Sequence, residues 1–315
     1  MWPLNFNLLQ QTISEEFVLY LLDTISISYT LLYTAIVKTP EIYDNSQVTN
    51  ALSTQVGTSE AIRLLNKKSI HNLNNNSYKN LRYIQWLAGL IDGDGCFLLS
   101  KKGYASLEIT MDIRDERALQ AVKNIYGGSI KLRSGVSALR YRLHNKEGLL
   151  KLINDINGEI RNPIRLIQLN YICVKYDITL KYPEKLTLNN GWFSGFFDAY
   201  GSVSINSSTW QLSISAGQKT SEILTPLVEL YGGYVYIDRG GQGSFKWYVT
   251  KKEDILNLIE YFKKYPSRSA KNNRLHYIPK FYELKAMQAH TAPLDTFLSR
   301  SWYVFYNKWN NYDEI

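Results

Sequence analysis

An internal duplication limits this 315-residue chain to a fold built from two copies of one unit. Three blocks match in the same order along the chain: residues 82–97 with 188–203, 125–130 with 230–235, and 140–153 with 246–259. In the first block Gly89 aligns with Gly195, which lies 106 residues later (195 − 89). Ordered matches at a nearly constant offset are typical of a duplicated domain, so we predict two structurally similar halves.

Each copy shows the same succession of patterns. A helix that ends near Gly95 or Gly201 leads into a strand with alternating apolar residues, and a second strand follows it. Apolar residues then recur at helical spacing, and two more strands and a helix complete the unit. The predicted order is α-β-β-α-β-β-α, an α+β arrangement in which helices cover one face of an antiparallel sheet.

The duplication also predicts where the chain divides. Residues 66–80 are polar and rich in asparagine, which is typical of a linker. The predicted segments are an N-terminal extension with its linker (1–80), two half-domains (81–185 and 186–290) and a C-terminal tail (291–315). Residues 17–37 form the longest apolar run, which Asp23 interrupts. That run fits either a buried or amphipathic helix or a membrane segment, so it stays unassigned.

The charge of the chain indicates a polyanionic partner. Lysine and arginine number 36 against 28 acidic residues, which gives a net charge of +8 and a pI near 9.2. In the first copy, four cations alternate with apolar residues so that they share one sheet face: Lys131, Arg133, Arg140 and Arg142. The second copy is less basic there and carries Lys246, Tyr234, Tyr236 and Tyr248. A basic antiparallel ribbon suits the DNA major groove or an RNA backbone.

Cysteine usage and composition exclude several other classes of protein. Cys96 and Cys173 lie far apart and form no CxxC or Cys/His cluster, so neither a disulfide framework nor a zinc site is predicted. No signature of an RRM, KH or zinc-finger domain is present. The 24 tyrosines and the many asparagines and lysines are typical of an AT-rich organellar coding sequence.

The segment LAGLIDGDG at residues 87–95 resembles the motif that names the LAGLIDADG family of intron-encoded homing endonucleases and group I intron maturases. Residues 188–203 resemble its weaker form, and the resemblance covers about residues 81–285. It implies a monomer with an internal pseudo-dimer, in which two half-domains with saddle-shaped sheets are related by a pseudo-twofold axis. The two motif helices would pack side by side, and Gly89 and Gly195 would allow their backbones to approach closely. Asp92 and Asp198 would be structural residues of this interface.

The same resemblance implies the partners and the location of the protein. Group I intron RNA, double-stranded DNA or both are the expected ligands, and the family pattern is compatible with an accessory splicing protein. Membrane association depends on residues 17–37 and stays open with them. An organelle-encoded protein of the mitochondrial matrix is expected.

The catalytic acids of the two copies differ. In the family, the acid before the last glycine of each motif binds Mg²⁺, and Asp94 fits that position in the first copy. It lies at the C-terminus of the predicted helix, where the macrodipole disfavours an anion, and Gly95 supplies the helix stop. In the second copy the position holds Tyr200, and Asp198 matches Asp92 rather than Asp94. A neutral phenol does not replace a carboxylate as a ligand, so Mg²⁺ is expected only if Asp94 remains active.

Other site residues follow from the family pattern. The segment ISAGQKT at residues 214–220 resembles a strand end where a glutamine orients water, which makes Gln218 a candidate and Lys219 a neighbouring phosphate contact. The repeat places Ile113 and Arg114 at the matching positions of the first copy, and Ile113 cannot orient water through its side chain. The family also places a basic residue near each active site, for which the candidates are Arg161 and Lys271.

Three functions fit the sequence. The first is a maturase that binds its group I intron RNA and assists splicing after losing double-strand DNA cleavage. The second is a Mg²⁺-dependent homing endonuclease, or a nickase that uses Asp94 to cut the intron-lacking DNA site. The third is a structural component of a ribonucleoprotein. Tyr200 favours the first over the second.

Overall fold

The computed structural model describes residues 80–238 and 243–311 of the chain. The apolar run at residues 17–37 and most of the linker at 66–80 lie outside the described residues. Among the helices within the described ranges, none is long and apolar enough to cross a membrane.

The first half forms one antiparallel sheet with helices on one side. Its elements are α1 (residues 80–94), β1 (Gly95–Leu99), β2 (Ala105–Asp112), α2 (Glu116–Tyr126), β3 (Ser129–Leu132), β4 (Ala138–Leu143), α3 (Lys146–Ile156) and α4 (Pro163–Lys175). A 3-10 turn, Ile113–Asp115, joins β2 to α2. The strand order is β1-β2-β4-β3, so the two central strands come from different hairpins.

The second half repeats this architecture. Its elements are α5 (Trp192–Tyr200), β5 (Gly201–Asn206), β6 (Gln211–Gln218), α6 (Thr225–Tyr231), β7 (Tyr234–Asp238), β8 (Ser244–Val249), α7 (Lys252–Lys264) and α8 (Lys271–Ala286). The strand order is β5-β6-β8-β7. The predicted α+β fold of two similar halves is confirmed, and each half ends in one helix more than the sequence pattern indicated.

Alternation along the strands decides which sheet face is covered. In β2, Leu107, Ile109 and Met111 are buried, whereas Glu108 and Thr110 between them are partly exposed. Helices α2 and α3 bury apolar stripes, because their apolar residues recur at helical spacing. The polar residues that alternate with the buried ones along the strands point to the opposite face of the sheet, which none of the described helices covers.

The C-terminal tail forms a further helix, α9 (Phe297–Asn310), whose role the sequence left open. Its buried residues Trp302, Phe305 and Trp309 belong to the main core. The ring of Phe305 lies 6.2 Å from that of Phe281 on α8, so the tail packs on the second half.

The motif helices α1 and α5 touch backbone to backbone. A Cβ atom added at Gly89 would lie 1.9 Å from the carbonyl oxygen of Trp192, and one added at Gly195 would lie 1.7 Å from that of Trp86. Real Cβ atoms essentially never come closer than 3.0 Å to such atoms, so any side chain at either position would force the helices apart.

Both motif helices end just before a glycine, as the sequence predicted for Gly95, but neither glycine adopts a left-handed backbone. Gly201 has φ −71° and ψ 153°, which is extended backbone rather than the left-handed cap of a glycine helix stop. Gly201 is needed because a Cβ there would lie 2.2 Å from the ring of Phe197. At Gly95, whose φ is not positive either, a Cβ would lie 2.7 Å from the backbone of Ile91. Helix α1 thus ends just before Gly95 as the sequence predicted, and the requirement for glycine there is close packing of the strand on the helix.

Candidate active site and nucleic-acid interface

Two buried tryptophan–aspartate pairs cross the contact between the motif helices. The indole Nε1 of Trp86 donates to Asp198 Oδ2 at 2.7 Å, and that of Trp192 donates to Asp92 Oδ2 at the same distance. Each half therefore supplies a donor to the other half. The tryptophans were not among the predicted residues, although their matching positions in the two copies were a usable signal.

The remaining hydrogen bonds of these aspartates anchor the loops that precede α4 and α8. Asp92 accepts from the backbone nitrogens of Arg161 at 2.7 Å and Asn162 at 3.1 Å. Asp198 accepts from the backbone nitrogen of Arg268 at 2.8 Å, from Ser269 Oγ at 2.7 Å and from Ser267 Oγ. Burial raises the pKa of Asp92 to about 7, and its N–H donors oppose a further rise. Both carboxylates are thus engaged within the protein.

Asp94 lies at the end of α1 and is only partly exposed. Burial raises the pKa of its carboxyl to about 6, the positive charges of Lys271 and Arg165 oppose that rise, and the charge of Asp115 adds to it. The helix end disfavours an anion, so these two cations supply the compensation that the position requires.

The two cations also bind the ends of the motif helices. Lys271 Nζ donates to the carbonyl oxygens of Asp198 at 2.6 Å and Ala199 at 3.0 Å, and Arg165 donates to that of Gly93 at 3.4 Å. Arg165 and Lys271 are 106 residues apart (271 − 165), which is the repeat offset. Burial lowers the pKa of Lys271, and nearby carboxylates oppose that shift.

Arg161, the other basic candidate, is placed differently. Its guanidinium lies 5.9 Å from the ring centre of Trp192 and donates to the carbonyl oxygen of Glu184 at 2.6 Å. Arg165, one helical turn further along, takes the position beside Asp94 that was predicted for Arg161. The repeat offset of 106 pairs Lys271 with Arg165, so the spacing in the sequence was a usable signal for Arg165.

Tyr200 lies at the end of α5, close to the end of α1. A Cβ added at Gly93 would lie 3.2 Å from its ring, and 41% of Tyr200 is exposed. Partial burial and the charge of Asp94 raise the pKa of the phenol, whereas Arg165 lowers it. The phenol therefore stays neutral at neutral pH and cannot act as a second anionic ligand.

The acidic residues allow at most a sparse metal site. Within residues 80–238 and 243–311 no group of three or more His, Cys, Asp or Glu side chains is placed to hold a metal. Mg²⁺ in phosphate-processing sites is commonly held by one or two carboxylates together with substrate phosphates. Asp94 fits such a site, and Tyr200 does not.

Asp115 is an acidic neighbour that was not predicted from the sequence. It is buried and accepts from the backbone nitrogen of Ala270 at 2.7 Å. Burial raises the pKa of Asp115, and that backbone N–H opposes the rise. Its bond ties the start of α2 to the loop before α8, so it connects the two halves.

Gln218 ends β6, and its side-chain oxygen accepts from the backbone nitrogen of Lys219 at 2.8 Å. Lys219 is exposed. In the sheet register Gln218 pairs with Phe245, and the corresponding pair in the first half joins Met111 to Leu139. Met111, not Ile113, is therefore the structural counterpart of Gln218.

The counterpart of Gln218 was misplaced because the two halves differ in length at this strand end. Ile113 and Arg114 lie in the 3-10 turn after β2. Arg114 pairs with Asp112 at 2.8 Å and holds the pKa of that carboxyl below its usual range. Neither Met111 nor Ile113 carries a polar group that could orient water.

The predicted basic face is present on the open side of the first sheet. Lys131 pairs across the strands with Arg140, and Arg142 follows on the same face of β4. Arg133 comes directly after β3 and donates its backbone N–H to Ala138 at 2.8 Å. These cations line one groove together with polar and apolar neighbours: Ser129, Lys131, Leu132, Arg133, Ser134, Arg140, Arg142 and His144. Such a surface can contact phosphates.

One acid reduces the charge of this face. Glu108 on β2 forms an ion pair with Arg142 and lies 3.7 Å from the Nε atom of Arg140. This acid was not predicted, because the register between β2 and β4 is a tertiary property. In the second sheet, Lys246 pairs with Tyr236 and is flanked by tyrosines rather than by cations.

Comparisons with known proteins agree with this geometry. A family model described as LAGLIDADG endonuclease matches residues 87–160 and 193–282. The chain is 43% identical over 301 residues to the intron-encoded RNA maturase bI4 of Saccharomyces cerevisiae, covering 85% of this chain and 47% of the relative. It is 42% identical over 241 residues to the intron-encoded DNA endonuclease ai2b of Dictyostelium discoideum, covering 73% of this chain and 90% of the relative.

Some relatives are considerably longer than the matched region. The probable intron-encoded endonuclease aI2 of Debaryomyces hansenii is 38% identical, with 75% of this chain and 39% of the relative covered. The chain thus spans about half or less of the length of this relative and of the yeast maturase.

Solved structures show the same fold. The meganuclease I-AabMI bound to uncleaved DNA superposes with a TM-score of 0.51 at 21% identity, covering 66% of this chain and 92% of that one. The homing endonuclease I-LtrWI bound to target DNA gives a TM-score of 0.52 at 17% identity, covering 73% of this chain and 98% of that one.

Proposed function

The chain belongs to the LAGLIDADG endonuclease family of intron-encoded proteins, and we propose that it binds group I intron RNA and assists its splicing, with double-strand DNA cleavage lost. The observation that carries the proposal is Tyr200, which stands where the second catalytic acid is expected. A relative of 43% identity carries the name RNA maturase, which agrees with this function.

The absence of one acid bears on two-strand cleavage in particular. Each scissile phosphate needs an activated water and a stabilised leaving oxygen. The carboxylate acts by holding a metal ion that stabilises developing negative charge, and losing one such stabilising contact commonly costs about 100-fold or more in rate, or about 3 kcal/mol. Tyr200 is neutral and partly exposed, so it supplies no charge at its position.

RNA binding does not require a catalytic acid from the protein. The cations of the first sheet can hold a phosphate backbone, and the splicing chemistry belongs to the RNA. The fold and this basic face persist in a chain with one catalytic acid missing. That combination supports retention of the protein for binding.

A nickase is the second candidate, because the catalytic acid of one motif is retained. Asp94 is retained beside Lys271 and Arg165, and a relative of 42% identity carries the name DNA endonuclease. Mg²⁺, when bound, would supply a Lewis acid for phosphate hydrolysis. In this candidate Asp94 is the ligand, Gln218 orients water and Lys219 contacts phosphate.

The proposal includes the location, oligomeric state and partners of the protein. We place it in the mitochondrial matrix as a monomer, with its intron RNA as the main partner and an accessory splicing protein as a compatible one. Residues 81–185 and 186–290 are proposed as the two half-domains, each of which would contribute one open sheet face.

The decisive experiment compares RNA binding and DNA cleavage by the wild-type chain. Binding to the intron RNA is measured by filter retention. Cleavage is measured with Mg²⁺ on a supercoiled plasmid that carries the intron-lacking junction. We expect RNA binding and no rapid linear product, with any nicked product absent in Asp94→Asn and kept in the control Asp177→Asn, whose side chain is exposed.

Rapid linear product from the wild type, abolished by Asp94→Asn, would contradict the proposal and restore the endonuclease. Absence of intron-RNA binding would contradict it as well. Tyr200→Asp restores the missing acid, so linear product above the wild-type level would identify this position as the defect.

A further inference from the structure

Three tyrosines form a cluster on the open face of the second sheet. The ring of Tyr234 lies 5.9 Å from those of Tyr236 and Tyr248, and Tyr236 lies 6.2 Å from Tyr248. Tyr234 is 53% exposed and Tyr236 is 37% exposed. Large aromatic surface is therefore presented to solvent on a face that the helices leave uncovered.

The matching positions of the first sheet carry a different chemistry. Tyr248 corresponds to Arg142 and Lys246 to Arg140, because Trp247 and Tyr141 occupy equivalent core positions 106 residues apart (247 − 141). On the edge strands the same comparison sets tyrosines against polar and basic residues: Tyr234 against Ser129 and Tyr236 against Lys131. One half presents guanidinium and ammonium groups where the other presents phenol rings.

This difference argues against two equivalent contacts with a regular duplex. A duplex offers evenly spaced phosphates, and binding it with both halves calls for cations on both sheets. Strands β7 and β8, as the structure describes them, carry one cationic residue, Lys246. Aromatic rings on an open four-stranded sheet are instead suited to unpaired bases, which stack face to face on the rings.

We propose that the open face of the second sheet binds unpaired nucleotides of the RNA by stacking bases on Tyr234 and Tyr236. This inference rests on the proposed function, since it names the part of the RNA that the second half takes. Lys246 lies opposite Tyr236 in the strand pairing and provides a charge for the adjoining phosphate.

Small residues lie beside the tyrosines on the neighbouring strand β6. Ser215 lies opposite Tyr248 across β6 and β8, and Gly217 lies opposite Lys246. Ser215 is buried and Gly217 has no side chain, so neither contributes an exposed side chain that competes with the tyrosine rings for a base. Tyr248 is less exposed than the other two and braces Tyr234 through an edge contact of the rings. Stacking tolerates any base, so this face should discriminate paired from unpaired RNA rather than one sequence from another.

The test uses the full chain and a short oligoribonucleotide with one 2-aminopurine base, whose fluorescence falls when the base stacks on a ring. The variant Tyr234→Leu/Tyr236→Leu removes both rings, and Tyr234→Phe/Tyr236→Phe keeps them. Tyr303→Leu removes an exposed tyrosine on α9 and serves as the control. A blunt RNA duplex of the same sequence is measured in parallel, and thermal melting checks that each variant is folded.

We expect the leucine variant to bind the single strand on the order of tenfold more weakly for each ring that carries a base, with the fluorescence quenching abolished. The phenylalanine variant, the Tyr303 control and duplex binding should be unchanged. An equal weakening for duplex and single strand would overturn the inference, and so would an unchanged single-strand affinity in the leucine variant. If the wild type binds intron RNA while the leucine variant shows no defect, the stacking inference fails and the proposed function stands. If the wild type binds no intron RNA, the proposed function fails.

Discussion

Gly195→Ala tests the contact on which the two-half architecture depends. The added Cβ would lie 1.7 Å from the carbonyl oxygen of Trp86 and 2.8 Å from the backbone nitrogen of Leu90. Because both atoms belong to the backbone, no side-chain rotation relieves the clash. An ordinary contact begins at 3.4 Å, so α1 and α5 must separate locally by about 1.7 Å.

A separation of that size would break the hydrogen bonds that cross the interface. The Trp86–Asp198 and Trp192–Asp92 bonds are 2.7 Å long, and at about 4.4 Å neither persists. Overpacking costs about 1–3 kcal/mol, and each broken bond to a buried carboxylate adds about 1.5–3 kcal/mol. We therefore expect the free energy of unfolding to fall by at least about 4 kcal/mol, which corresponds to a fall in Tm on the order of 10 °C.

Chemical denaturation monitored by tryptophan fluorescence measures this destabilisation. Gly217→Ala is the matched control, because its Cβ would meet only the oxygen of Phe245 at 3.9 Å and its φ is not positive. We expect the control to stay within about 0.5 kcal/mol of the wild type. Equal stability of the two variants would refute the close backbone contact between the motif helices.

Three further predictions concern the interface and the basic face. Replacing the four cations of the first sheet with neutral residues should weaken RNA binding and flatten its salt dependence by about one slope unit for each phosphate that is no longer neutralised. An unchanged slope would place the binding site away from these four residues, Lys131, Arg133, Arg140 and Arg142. Glu108→Gln should have the opposite effect, because it releases Arg142 and Arg140 from their ion pairs. We expect tighter RNA binding and a steeper salt slope, whereas weaker binding would show that Glu108 positions the arginines. Trp192→Phe should destabilise the protein by about 1–3 kcal/mol, since it removes a donor from buried Asp92, and calorimetry showing no change would mean that water replaces the indole.

The sequence alone determined the repeat, the strand alternation and the substitution at Tyr200. These features are local, since an offset of 106 residues and a period of two are visible without any contact. The α+β fold followed from them, and so did the face of β4 on which Arg140 and Arg142 lie.

Only the tertiary structure decided which distant residues meet. No register between strands can be taken from the sequence, so it could not show that Glu108 faces Arg142 or that Met111 corresponds to Gln218. The side chain of Arg165, and not that of Arg161, lies beside Asp94, although the repeat offset of 106 already pairs Arg165 with Lys271 in the sequence. The indole bonds from one half to the buried carboxylates of the other exist only after two helices dock, because burial and hydrogen-bond geometry belong to the packed pair rather than to either segment.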